Sequence, residues 1–353
     1  MIRVLIVDDS GVIRAFIRAA LARHPQINVV GEAGDGVEAL RQIAALRPDV
    51  VTLDVEMPNL NGIGVLERAA GKVPVSFLMV STLTQAGARV TFEALSKGAF
   101  DYVAKPQLPT AASRPEFQRH LVEKVLAAAR AKGQTRQTLL RCAGGSAPRL
   151  PPNRVSGWVV GIGISCGGPQ TLHEVLPMFP SDFVPIVVTQ HMPAQFTGPF
   201  AKHLAAGCAM RVKEAVDGEP LAQGTIYIAP GSHHLRVVRR GMQLGVQLDG
   251  GPLVSGHRPS VDVMFSSLAS TCPTRTIGVI MTGMGRDGAN GIVELARAGA
   301  ITVGQDERSC FVYGMPKAAY ETGCVQHVAS ATEIPARVAS LLQRSRVAAP
   351  GAR

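Results

Sequence analysis

No stretch of this chain is apolar for long enough to serve as a secretory leader or a membrane span. The first hydrophobic run, Ile2–Val7, stops at Asp8 and Asp9, far short of a leader core or a bilayer crossing. The expectation is a cytoplasmic protein with no membrane insertion. Also lacking is any Cys-x-x-Cys pair. The six cysteines, Cys142, Cys166, Cys208, Cys272, Cys310 and Cys324, are scattered, which argues against a disulfide framework or a zinc site and leaves them reduced.

The formal net charge of +10 invites a nucleic-acid reading, so its distribution matters more than its total. Basic and acidic residues balance over residues 1–105, leave +7 over 106–154, and leave +3 over the remainder. The excess therefore sits in a segment without hydrophobic periodicity, rich in Gly, Pro, Ser and Arg. Such a segment reads as a solvated tether, or as a patch attracted to an acidic partner, and no nucleic acid is expected.

At 353 residues the chain is long enough for two domains, each with its own core. Residues 1–127 alternate strand-like and helix-like runs as a doubly wound parallel sheet does. Strands are predicted at 3–7, 28–33, 50–53, 75–80 and 101–103. Asp9 or Ser10 caps the first helix, with Ile13, Phe16, Ile17 and Leu21 on its buried stripe, and further helices are predicted over 36–46, 87–96 and 116–131. The strand ends carry the chemistry. Asp8 and Asp9 close the first strand, Asp54 the third and Ser81 the fourth, while Lys105 follows the fifth. In an open parallel sheet these ends share one edge. Three carboxylates so close stay ionised most readily around a divalent cation, and oxygen ligands suit Mg²⁺.

The segments Val7-Asp8-Asp9-Ser10, Leu53-Asp54-Val55-Glu56-Met57-Pro58, Met79-Val80-Ser81-Thr82 and Lys105-Pro106 resemble a response-regulator receiver domain, a flavodoxin-like five-stranded parallel sheet. The resemblance implies that Asp54 accepts a phosphoryl group from a histidine kinase. Asp8, Asp9, Asp54 and the Glu56 carbonyl hold Mg²⁺, Lys105 pairs with the phosphoryl group, Ser81 moves to bond it, and Tyr102 changes packing. Asn61, where relatives often carry Asp, lies outside that pocket.

Residues 128–154 read as a flexible basic tether, and residues 155–345 begin a second strand–turn–helix series. Gly163-x-Ser165-x-Gly167 follows an apolar run and has the spacing of a sharp turn that projects a serine hydroxyl. A glycine-rich turn there equally suits a phosphate cradle. Further apolar runs at 185–189 and 276–282 lead into Gln190-His191-Met192-Pro193 and Gly283-Met284-Gly285-Arg286-Asp287-Gly288, and residues 224–248 read as β-rich with Gly and Asp turns. Placed side by side in a parallel sheet, these ends bring Ser165, His191 and Asp287 to one rim, as nucleophile, base and orienting acid. Backbone N–H groups after Ser165 and near Met284 suit an oxyanion. His233 and His234 are rival bases, Asp262 and Asp306 rival acids, and Cys166 a rival nucleophile. None of the rival bases or acids follows as convincing a strand, and Ser165 alone is flanked by glycines two residues away on each side. A nicotinamide site lacks its acidic ribose ligand, since His191 stands at that position.

The blocks Ile162-Gly163-Ile164-Ser165-Cys166-Gly167-Gly168-Pro169, Gln190-His191-Met192-Pro193, His257-Arg258-Pro259-Ser260-Val261-Asp262, Met281-Thr282-Gly283-Met284-Gly285-Arg286-Asp287-Gly288-Ala289 and Gly314-Met315-Pro316 resemble the catalytic domain of the chemotaxis protein-glutamate methylesterase family, CheB. The resemblance implies a Rossmann-like, mostly parallel sheet with an added antiparallel hairpin. It implies hydrolysis of glutamate γ-methyl esters on methyl-accepting chemotaxis receptors, deamidation of receptor glutamines, and a chemotaxis histidine kinase as phosphodonor. It also implies an unphosphorylated receiver that occludes the esterase. The esterase chemistry needs no cofactor, and Mg²⁺ belongs to the receiver. Cys166 stands where the family usually has Thr, which removes a hydroxyl able to support the triad. Two other classes fit less well. A DNA-binding regulator would show a short helix-turn-helix instead of a large sheet-forming domain, and a catalytically inactive adaptor would keep the fold without the chemistry.

Overall fold

Side-chain caps set the first helices. Ser10, Asp35, Asn61 and Thr84 each accept a hydrogen bond from the backbone N–H three residues on, opening α1 (Gly11–Leu21), α2 (Gly36–Leu46), α3 (Gly62–Ala69) and α4 (Gln85–Ser96). Each cap satisfies an N–H that the helix itself leaves unpaired. Asn61, the departure noted above, is one of these caps. Between the helices run β1 (Ile2–Val7), β2 (Ile27–Ala33), β3 (Val50–Asp54), β4 (Ser76–Ser81) and β5 (Asp101–Ala104). They pair in parallel in the order β2-β1-β3-β4-β5, the expected flavodoxin-like sheet. Helix α5 (Arg114–Arg130) returns against α1, with Phe16 and Phe117 rings 5.2 Å apart.

The computed structural model describes residues 1–82, 84–106, 114–131 and 157–347, in two compact units, Met1–Gly145 and Ser146–Arg353. From residue 132 onward the proposed tether lies outside the described residues.

In the second unit the apolar runs become β6 (Val159–Ile164), β7 (Ile186–Gln190) and β12 (Thr276–Ile280), with α6 (Gly168–Val175) and α7 (Ala194–Ala205) following the first two. The β-rich stretch divides. Its first strand, β9 (Thr225–Ile228), joins the main sheet beside β8 (Arg211–Glu214), while β10 (His234–Arg240) and β11 (Gln243–Asp249) form a separate antiparallel pair. Helices α8 (Val261–Thr271), α9 (Ala289–Arg297), α10 (Met315–Tyr320) and α11 (Ile334–Val347) and strands β13 (Ile301–Gln305) and β14 (His327–Ala329) complete the unit. The seven-stranded order is β14-β13-β12-β6-β7-β9-β8, and its pairings are parallel. The order runs outward in both directions from β6, which puts a topological switch point at the end of that strand.

The glycines of β6 serve packing. A side chain on Gly161 would collide with Leu268 and Phe265, and one on Gly163 with Val261, so α8 lies directly on the strand. Its inward residues Val261, Met264, Phe265 and Leu268 are buried in the same apolar cluster as Val159, Ile280 and Leu295. Replacing Gly163 with Ala forces Val261 away from β6. We expect a loss of about 1–3 kcal/mol in chemical denaturation, the usual cost of overpacking. Gly207→Ala, where an added methyl meets only ordinary contacts, is the matched control.

Candidate functional site

Ser165, His191 and Asp287 follow β6, β7 and β12, the three adjacent central strands. The turn after β6 is sharp because Gly167 adopts φ 72°, a left-handed conformation open to glycine, with the Phe311 ring packed where a side chain would go. Helix α6 starts at the next residue. The serine backbone is held from two sides, its N–H donating to the Thr282 carbonyl at 2.9 Å and its carbonyl accepting from the Gly168 N–H at 2.8 Å.

The three side chains form a continuous relay. Ser165 Oγ lies 3.1 Å from His191 Nδ1, and His191 Nε2 lies 2.7 Å from Asp287 Oδ2. With Asp287 ionised, Nε2 carries the proton it donates to the carboxylate, and the Nδ1 lone pair accepts from the serine hydroxyl. A hydroxyl paired this way with a neutral imidazole is set up to lose its proton as it attacks.

Asp287 is buried, at 1% exposure, and its surroundings decide its charge. Oδ1 accepts from the Ser260 hydroxyl at 2.7 Å and the Asp262 N–H at 3.2 Å, while Oδ2 accepts from the Val261 N–H at 2.7 Å as well as from His191. Ser260 caps α8 and the other two N–H groups open it, so the carboxylate occupies the positive end of that helix. Burial opposes ionisation, but the His191 bond and charge, with the Val261 and Ser260 donors, outweigh it and hold the carboxyl at about 2. The neighbouring Asp262 is shifted the other way by burial and by the Asp287 charge. It accepts from the N–H groups of Gly288 and Gly291 and so ties the start of α9 to that of α8.

The rival residues have other partners. His233 bonds Ser232. The buried His234 accepts from the Ser260 N–H and donates to the Pro252 carbonyl. Asp306 holds Ser309. Cys166 is buried, and its carbonyl accepts from the Thr282 hydroxyl at 3.0 Å. Met284 is half-buried in the turn after β12, where the preceding Gly283 packs on Ser165 Cβ.

Three contributors were not singled out from the sequence. Gln190 donates its amide N–H groups to the carbonyls of both Ser165 and His191, at 3.0 and 3.1 Å. Ser260 holds Asp287, and the His257 ring stacks on that of His191. The last two belong to the block quoted above, but no spacing rule links them to residues 27 and more positions away.

The first unit builds a second pocket at its own switch point, between β1 and β3. Ligand oxygens of Asp8, Asp9 and Asp54 lie within 4.8 Å of one another. Lys105 Nζ reaches both Asp8 and Asp54 at 2.7 Å. Burial pushes Asp54 up to about 6, with the Asp8 charge adding to the rise and Lys105 opposing it. Burial works against the Lys105 charge too, but the two carboxylates more than restore it, so its pKa is raised. One ammonium does not offset this concentration of carboxylates, and the donor set, all oxygen, fits a hard divalent cation. The Ser81 hydroxyl donates to the Gly87 carbonyl at 3.4 Å, and the buried Tyr102 ring meets Phe92 edge-on. Glu56 is exposed.

Two family descriptions match, a CheB methylesterase over residues 160–338 and a response regulator receiver domain over residues 4–112. A protein-glutamate methylesterase/protein-glutamine glutaminase 1 of Caulobacter vibrioides is 48% identical over 351 residues, 98% of this chain and 99% of the relative. A protein of the same description, without the number, from Pyrococcus abyssi is 41% identical over 350 residues, 98% of this chain and 95% of the relative. The crystal structure of the Thermotoga maritima CheB methylesterase catalytic domain is 39% identical, covers 53% of this chain and all of its own, and aligns with a TM-score of 0.52. A Ser-His-Asp relay on the central strands, a carboxylate pocket in the unit that precedes it in sequence and near-full-length identity converge: the chain belongs to the CheB methylesterase family, in the form whose esterase domain follows a response regulator receiver domain.

Proposed function

We propose that this chain removes methyl groups from glutamate γ-methyl esters of methyl-accepting chemotaxis receptors, releasing methanol, and deamidates receptor glutamines. A chemotaxis histidine kinase switches it on by phosphorylating Asp54. The observation that carries the esterase reading is the unbroken relay from Ser165 through His191 to Asp287. A catalytically inactive adaptor has no need of a buried ionised carboxylate aimed at an imidazole.

Ser165 Oγ attacks the ester carbonyl as its proton passes to His191 Nδ1. The imidazolium is held by Asp287 through Nε2, and backbone N–H groups of Cys166 and Met284 receive the oxyanion. His191 then returns the proton to the departing methoxide, and water deprotonated by the same nitrogen clears the acyl-serine. An amide passes through the same steps with ammonia leaving. Apart from the hydrolytic water, every group that acts on the substrate in these steps belongs to the chain.

In the first unit Asp54 is the phosphoryl acceptor and Lys105 its counter-charge. Ser81 and Tyr102 are the switch residues, whose present contacts with Gly87 and Phe92 are the ones a phosphoryl group exchanges. Asp8, Asp9, Asp54 and the Glu56 carbonyl would hold Mg²⁺, which when bound would offset the phosphoryl charge.

Methanol release from methylated receptor membranes, with a small phosphodonor present, tests the reading. Ser165→Ala is expected to abolish turnover, and Asp287→Asn to lower kcat by about 10³- to 10⁴-fold through loss of the correct tautomer. Wild-type release that persists in Ser165→Ala would exclude the serine mechanism.

A second expectation concerns pH. The Asp287 carboxyl stands at about 2, below its ordinary 3.8, so its charge stabilises the fold above about pH 4, and that contribution fades as pH falls toward 2. Asp287→Asn should therefore be destabilising at neutral pH and progressively less so in acid, read from urea titrations at several pH values.

Asp54 has the opposite sign. Its carboxyl is raised from 3.8 to about 6, so stability is lost as pH rises through that window. In EDTA, Asp54→Asn should stabilise the receiver transition by about 1–3 kcal/mol at pH 7 and by little at pH 4. Millimolar Mg²⁺ should stabilise the wild type more than the variant. Equal responses of the two proteins would remove Asp54 from the ligand set.

A further inference from the structure

The edges of the His191 ring are committed to Ser165 and Asp287, but a ring held only by its edges can still tilt. One face is covered as well. The His257 ring lies parallel to it, with centroids 3.8 Å apart and planes inclined by 10°.

His257 reaches that place from the irregular segment between β11 and α8, and its backbone is pinned. Its N–H donates to the Val254 carbonyl at 2.9 Å, and its carbonyl accepts from the Val254 N–H at 3.1 Å. The tight turn between them places Ser255 at φ 53° and Gly256 at φ 79°. On the other side, Arg258 Nη1 donates to the carbonyls of Gly250 and Gly251 at 3.0 and 2.7 Å, and Ser260 then enters the set of donors around Asp287. The segment that presents the stacking ring therefore also supplies the carboxylate's support.

We propose that His257 is a positioning residue for the general base. Its ring fixes the plane in which His191 Nδ1 faces the serine hydroxyl. It also presents a π face to the imidazolium formed when Ser165 Oγ gives its proton to Nδ1, an arrangement that favours the cation. The inference rests on the assignment of His191 as the base, and it adds a contact that acts before and during proton transfer without touching the ester.

The test uses the full chain with a phosphodonor and two readouts. Methanol release from methylated receptor membranes gives kcat and KM, and labelling of Ser165 by a fluorophosphonate probe reports the serine–imidazole pair without any receptor. His257→Ala is expected to lower kcat about 10-fold with KM changed by less than about twofold, and to slow labelling by a similar factor. His257→Phe restores a flat ring and should bring both rates back to within about threefold of wild type, whereas His257→Leu, of similar bulk but not flat, should behave like Ala.

A rise in KM with unchanged labelling would make His257 a receptor contact and overturn the proposal. Equal losses in Phe and Leu would overturn it too, because the flat ring would then be irrelevant. If His257→Ala does not fold, the Phe and Leu pair carries the comparison. A wild-type chain that labels at Ser165 but releases no methanol would instead defeat the substrate assignment, while the labelling series still decides the role of the stack.

Discussion

An ionised carboxylate sealed inside the esterase unit is the constraint around which its site is arranged. An isolated charge in that position would be strongly disfavoured. Asp287 is kept charged by the Ser260 hydroxyl, the Val261 and Asp262 N–H groups and His191, and with that charge it selects the imidazole tautomer that leaves Nδ1 free to accept from Ser165. Two of those donors are the first N–H groups of α8, and α8 comes close enough only because β6 carries glycine where it packs. The glycines of one strand thus serve the acid at the end of another.

The two units use one architectural device with opposite electrostatics. Each has a parallel sheet whose order reverses at a central strand, and each places carboxylates at that crevice. Asp287 is well supplied with donors and held at about 2. Asp54 has Lys105 and the Val55 N–H but shares its surroundings with Asp8, and it stands at about 6. Unmet negative charge around a carboxylate suits a site that takes up a cation. The difference lies in the number of donors supplied.

The rival base and acid have supporting parts. His234, a rival base, accepts from the Ser260 N–H and so lies one hydrogen bond behind Asp287. Asp262, a rival acid, fastens the starts of α8 and α9 together. Their side chains have the chemistry for the central roles, but neither follows one of the strands that carry the relay.

Much of the fold was readable because its signals are local. Alternating apolar runs marked the five strands of the first sheet, caps such as Ser10 marked helix starts, and small residues around Ser165 marked the turn. The stretch that holds Thr225–Ile228 was legible as β-rich but not as the source of a strand in the parallel sheet, since the partners β7 and β8 are set by chain path. The amino-acid order by itself determined which residues end up at strand termini, because period and punctuation act over a few residues. Only the tertiary structure decided that β12, β6 and β7 are neighbours, that α8 aims its N–H groups at Asp287 and that His257 lies flat on His191. Those contacts join segments 25 to 117 residues apart, and packing of whole elements, not local preference, brings such segments together.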